Sequence, residues 1–156
     1  MEETKIAIFQ KKEVRKTLFQ NEWWFSVVDV VGALTDSVDA RDYWYKIKIR
    51  VSSEENIELS TICRQLKLLA PDGKMRETDC ANTEGIFRIV QSIPSPKAEP
   101  FKRWLAKVGY ERVQEIENPE LGQKRTRLLY KLKGYPDSWI EKRMRGIEVR
   151  ETLTDE

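Results

Sequence analysis

Basic side chains at helical spacing carry the chemistry most open to this chain. Arg41, Lys46, Lys48 and Arg50 interleave with Tyr43 and Tyr45 in one short stretch. Farther on, Lys124, Arg127 and Lys131 repeat at i, i+3 and i+7 beside Arg125, and Lys142, Arg143 and Arg145 follow. Cations so spaced share one side of a helix. Several on one surface suit a phosphodiester backbone, because each neutralised phosphate releases counterions, while rings between them stack on bases. The same runs also fit solvated helix faces, so their arrangement in the fold decides between the two.

Other chemistries fail on residue type. The sequence has no histidine, which removes Ser-His-Asp and Cys-His catalysis and most metal sites. Cys63 and Cys80 stand 17 residues apart with no C-x-x-C pair, and read as buried, reduced, inert thiols. A metal-dependent nuclease needs converging carboxylates and usually a lysine, and the only internal D/E-x-K triplet, Asp72-Gly73-Lys74, is accounted for by a hairpin turn. The glycines stand singly, so there is no phosphate loop. The expectation is a non-enzymatic protein with no metal and no cofactor.

These cations must be positioned by a fold of modest size. The 156 residues, 40% hydrophobic and 35% charged, suit one domain or a domain with an appendage, and a chain of this length buries roughly 68–70% of its unfolded surface. No run approaches the roughly 20 apolar residues that span a bilayer. The opening residues read as neither a signal nor a transit peptide, so the cytoplasm is the expected compartment. Charge is uneven: residues 1–96 carry 14 basic and 15 acidic side chains, whereas residues 121–145 carry 8 basic and 2 acidic. The positive field is therefore local.

Period-two runs at 4–9 and 13–19, followed by Trp23-Trp24-Phe25, predict a small antiparallel meander. Ser26 caps an apolar helix over 27–34. The stretch 41–51 reads either as a strand or as a helix; Asp39 as a cap favours the helix, with Trp44, Ile47 and Val51 buried and Arg41, Tyr45 and Lys48 on a second stripe. Residues 52–58 read as a loop and 59–66 as one or two helical turns. A hairpin pairs 66–70 with 74–80 across Pro71-Asp72-Gly73. Asn82 caps a helix over 83–93, and Ser95 caps another over 96–117 with Phe101, Trp104, Leu105, Val108, Val113 and Ile116 as core positions and Gly109 as a possible bend. Asn118-Pro119 restarts helix to Lys133, Gly134 stops it, and Pro136-Asp137 starts a last helix to about Arg150. Trp23, Trp24, Trp44 and Trp104 are the expected core indoles. The fold class is α+β: a small antiparallel sheet with hairpins packed on helices, then a mainly helical carboxy-terminal extension.

Trp24-Phe25-Ser26-Val27-Val28-Asp29-Val30-Val31-Gly32-Ala33-Leu34, followed by Ala40-Arg41-Asp42-Tyr43-Trp44, resembles the opening of BRO-N domains, the amino-terminal domains of baculovirus BRO proteins and many phage antirepressors. Thr83 to Leu105, with its Ala98…Phe101-Lys102-Arg103-Trp104 pattern, resembles the second landmark of that family. The continuation through Gly109-Tyr110-Glu111-Arg112 and Asn118-Pro119-Glu120-Leu121 is similar to bacterial DNA-damage-inducible protein D-like proteins, which run on further, so the sequence reads as the amino-terminal part of a longer protein. The resemblance implies a BRO-N-like domain over 1–116 and a basic helical extension over 117–156. It implies a DNA-binding regulatory module with no established catalytic residues. The candidate DNA contacts, chosen from charge placement alone, are Arg41, Lys46, Lys48, Arg50, Lys124, Arg125, Arg127, Lys131, Lys142, Arg143 and Arg145. The alternative is a protein-binding antirepressor module that engages a repressor or a second copy of itself through its carboxy-terminal helices.

Overall fold

A computed structural model of the chain describes residues 14–155, with side chains described as far as Ile147. The alternating run expected at 4–9 lies outside the described residues. The fold is α+β, with four strands and six α-helices among the described residues. Strands β1 (Lys16–Phe19), β2 (Glu22–Ser26), β3 (Arg64–Leu69) and β4 (Met75–Asn82) form one antiparallel sheet in the order β1-β2-β4-β3. The helices are α1 (Val27–Leu34), α2 (Ala40–Glu55), α3 (Thr83–Gln91), α4 (Glu99–Glu117), α5 (Glu120–Leu132) and α6 (Asp137–Asp155). The chain divides into two compact units, one ending at Leu105 and the other beginning at Ala106.

Both hairpins follow from their turn residues. Gln20 and Asn21 both take positive φ, giving the two-residue connection whose twist matches the strands it joins. In the second, Gly73 N–H donates to Ala70 O at 2.9 Å and Ala70 N–H to Lys74 O at 2.8 Å, with Gly73 at φ 86°. Pro71 and Asp72 fill the turn and glycine takes the left-handed position, a three-residue hairpin.

Stretch 41–51 is helical. The Asp39 carboxylate accepts the Asp42 N–H at 3.1 Å, and Trp44, Ile47 and Val51 are all buried. The helix also runs through Ser52–Glu55, where a loop was expected, because Asn56 turns left-handed only there and bonds its N–H to Val51 O. Residues 59–66 split into a 3₁₀ turn, Leu59–Ile62, and the start of β3.

Ser26 caps α1 by accepting the Asp29 N–H, and Val27, Val30 and Val31 are fully buried beneath it. They pack with Phe25, Trp44, Ile47, Val51, Leu59 and Ala81, with Ile86, Ile89 and Val90 of α3, and with Phe101 of α4. Phe87, Phe101 and Trp104 meet edge to face at 5.6 to 5.9 Å between ring centroids.

Two core expectations are corrected. Trp23 is 46% exposed, since it sits beside edge strand β1 opposite Leu18, itself exposed, and takes the Lys16 ammonium 4.5 Å from its ring centroid. Val108, Val113 and Ile116 are also exposed: α4 passes straight through Gly109, and apolar spacing records a helix face without recording what covers it.

The thiols are free and protonated. Burial, then the negative charge of Asp79, pushes the Cys63 thiol up to about 12, and burial pushes Cys80 up to about 11. Alkylation by iodoacetamide at pH 8 should be slow for both in the native chain and fast in denaturant, read by mass spectrometry. Phe101→Ala should cost about 3–5 kcal/mol, measured as a lowered urea midpoint.

Candidate nucleic-acid interface

Helix α2 is rotated about its axis by Trp44, whose buried indole N–H donates to Asp79 Oδ2 at 2.9 Å. Gln65 Nε2 donates to the other oxygen of the same carboxylate, and the Lys48 ammonium lies 3.5 Å from it and 5.2 Å from the Trp44 ring centroid. With Trp44 turned inward, the stripe Arg41, Tyr45 and Lys48 faces the β3–β4 hairpin. Together they line a groove of about 640 Å³.

The opposite wall comes from the strands. Met75, Arg76 and Glu77 of β4, with Ala70 and Pro71 of the turn, line it, and Arg15 enters from the segment before β1. Arg15 is held firmly: its backbone N–H and side chain bond the Asp29 carboxylate at 2.7 to 3.1 Å, and Nη1 donates to Leu69 O at 2.9 Å. Arg76 pairs with Asp72 across the turn. Arg41 makes no ion pair among the described residues, and Tyr45 is 59% exposed, so the groove presents an available cation beside an available ring.

The other two candidates on α2 point elsewhere. Lys46 and Arg50 lie roughly 150° around the helix from the groove stripe. Lys46 pairs with Asp42 at 2.9 Å, and that hydrogen bond raises its pKa. The Arg50 guanidinium donates to the carbonyl of Ser92, the residue that ends α3, where a cation complements the helix dipole.

The unit from Ala106 carries the remaining candidates. Lys124, Lys131, Lys142, Arg143 and Arg145 are exposed and make no ion pair among the described residues. Arg127 pairs with Glu141 at 2.6 Å, joining α5 to α6. Arg125 grips Glu115 with two nitrogens, one at 2.9 Å, joining α5 to α4, and Arg112 stands 3.7 Å away. The Arg125 hydrogen bonds hold the 6%-exposed Glu115 carboxyl below the usual carboxylate range, against the opposing effect of burial. Between α5 and α6, Gly134 at φ 93° makes a tight stop, with its N–H on Lys131 O and the Tyr135 N–H on Tyr130 O. Tyr135 then stacks on Trp139 at 4.2 Å, with Tyr130 edge-on to both.

The profile of the BRO family, N-terminal domain, matches residues 13–114. The chain belongs to the BRO family. No curated protein and no solved structure matches it. The BRO-N match takes in the whole groove, Arg15 to Asp79, and ends before α5 and α6 with their cations. Within this BRO-N domain no helix is long and apolar enough to cross a membrane, and the same holds for all the described residues.

Sequence reasoning found the stripe Arg41, Tyr45 and Lys48 but missed Arg15, Arg76 and the ring cluster at Gly134. Arg15, just before β1, and Arg76, on β4, reach the groove through pairings far apart in the chain, which spacing does not reveal. The ring cluster did leave a signal, aromatic residues at 130, 135 and 139 around a helix-stopping glycine.

Glu115 makes a pH test. Its carboxyl is depressed in the folded chain, so its contribution is complete above the unfolded value of about 4.3 and is lost as pH falls through the folded one. Helicity followed by far-ultraviolet circular dichroism should therefore fall at acid pH, and Glu115→Gln should remove that portion of the pH dependence.

Proposed function

We propose that this chain is a non-enzymatic DNA-binding regulatory module, of the kind found in prophage antirepressors and DNA-damage-inducible protein D-like proteins, acting in the cytoplasm. The observation that supports it is the meeting of Arg41, Tyr45 and Lys48 with Arg76 and Arg15 along one groove. Arg41 holds phosphate and Tyr45 offers a stacking or packing surface, while Arg15, Lys48 and Arg76, each paired with an aspartate, add hydrogen-bond donors at the groove walls. The exposed Lys142, Arg143 and Arg145 of α6 add backbone contacts in the second unit.

A second reading, a protein-binding antirepressor module that engages a repressor, draws support from the exposed Leu128 and Leu132 of α5. Salt separates the two. Binding through about six phosphates weakens by roughly 10³-fold between 50 and 200 mM salt, whereas an apolar interface responds little.

Fluorescence anisotropy with a labelled duplex at several salt concentrations is the test. Arg41→Ala should weaken binding and reduce the salt slope by ~0.9, and the triple Lys142→Ala, Arg143→Ala, Arg145→Ala change should reduce it by roughly three times as much. No binding at low salt, or a slope indifferent to both variants, removes these cations from the interface.

A further inference from the structure

The charge of the groove does not suit a run of phosphates. Of the charged side chains that line it, Arg15 is matched by Asp29, Arg76 by Asp72, and Lys48 by Asp79. Arg41 and Glu77 remain, each without an ion pair among the described residues, and their charges cancel. One phosphate finds a partner here, and a second meets a carboxylate. A sugar-phosphate backbone laid along the groove therefore gains little from it.

The other lining residues suit a base. Tyr45 on α2 is 59% exposed, and on the facing wall Pro71 and Met75 are exposed too. A ring on one side and apolar side chains on the other take a flat base between them. The uncommitted Glu77 carboxylate is an acceptor only, so it calls for a donor, and the exocyclic amino groups of bases are donors, whereas a phosphodiester has no hydrogen to offer. Size points the same way. About 640 Å³ is the scale of a small-ligand pocket, room for a nucleotide taken out of its stack, while the stacked bases of an intact duplex stay out of reach of Tyr45.

We infer that the groove holds one unpaired nucleotide of a DNA strand, its base between Tyr45 and Met75, its amino edge toward Glu77 and its phosphate on Arg41. The inference rests on the DNA-binding reading and narrows it. Phosphate contacts hold the flanking DNA, and the groove favours a site where a base already stands outside the stack, at a bulge, a gap or a lesion, because unstacking costs least there. The nucleotide belongs to a strand. A free nucleotide with several phosphates would find one available cation in the groove. A strand also reaches Lys67, opposite Glu77 in the strand register, and Lys74, next to Met75, both exposed and without ion pairs among the described residues.

Fluorescence anisotropy of the full chain, at one salt concentration, compares a fully paired duplex with the same duplex carrying one unpaired cytosine. The bulged duplex should bind ~10-fold more tightly or better, as stacking of one base on an aromatic ring provides. Tyr45→Ala should abolish this preference and Tyr45→Phe should keep it, with circular dichroism confirming that both variants fold. Unpaired thymine, which lacks the amino group, should bind more weakly than unpaired cytosine, and Glu77→Gln should narrow that difference. Equal binding of paired and bulged duplexes overturns the inference and leaves the DNA-binding reading standing; no binding of either removes both. A preference that survives Tyr45→Ala, indifference to thymine against cytosine, or displacement of the bulged duplex by deoxycytidine monophosphate at ~100 μM overturns the inference as well.

Discussion

One carboxylate, Asp79, sets the geometry of the groove. A buried indole N–H is costly to leave without an acceptor, and Asp79 on β4 is the acceptor for Trp44. That bond joins sheet to helix and stops α2 from turning about its axis. Because each residue of a helix is offset by a fixed angle from the next, fixing the direction of Trp44 fixes Arg41, Tyr45 and Lys48 as well. Gln65 and Lys48 complete the surroundings of Asp79, so the carboxylate stays satisfied at the edge of an apolar interior. Chemistry at the surface is in this sense a by-product of hydrogen bonding just beneath it.

The two units reach stability by different means. Up to Leu105 the chain relies on a continuous apolar interior of valine, isoleucine, leucine and aromatic side chains, with ion pairs such as Arg15 with Asp29 at its margin. From Ala106 onward there are, among the described residues, three helix segments, two buried apolar side chains and two interhelical ion pairs. Charge dominates where the core is thin. Burying Glu115 beneath two arginines is a specific arrangement: it holds α5 at one position on α4, which a slippery contact between leucines would leave loose.

Much of this was legible in the residues themselves. The caps Ser26, Asp39 and Asn82, the Pro71-Asp72-Gly73 turn and the stop at Gly134 are local chemistry, and each lies where its neighbours in sequence place it. Periodicity likewise sorted Trp44, Ile47 and Val51 inward and Arg41, Tyr45 and Lys48 outward. Burial was less legible where it depends on distant parts of the chain: Trp23, Val113 and Ile116 have core residue types and core spacing, yet they stay 46% to 64% exposed. The four cations of α2 formed one group in sequence and occupy two sides of the helix in space, one pair at the groove and the other engaged with Asp42 and Ser92.

The groove has one wall that belongs to the core and one that does not. Helix α2 is embedded, but the β3–β4 ribbon is tied to the body by Asp79 on Trp44, by the buried Leu68 and by Arg15 on the Leu69 carbonyl, and beyond Leu69 it ends in the exposed Pro71-Asp72-Gly73 turn. Inserting one residue pair in each strand beyond Leu69 and Met75, tipward of the buried Leu68, would move the tip outward by ~7 Å while keeping inward and outward residues on their original sides. The reach of this wall is therefore a dimension that evolution can lengthen or shorten without repacking any buried side chain.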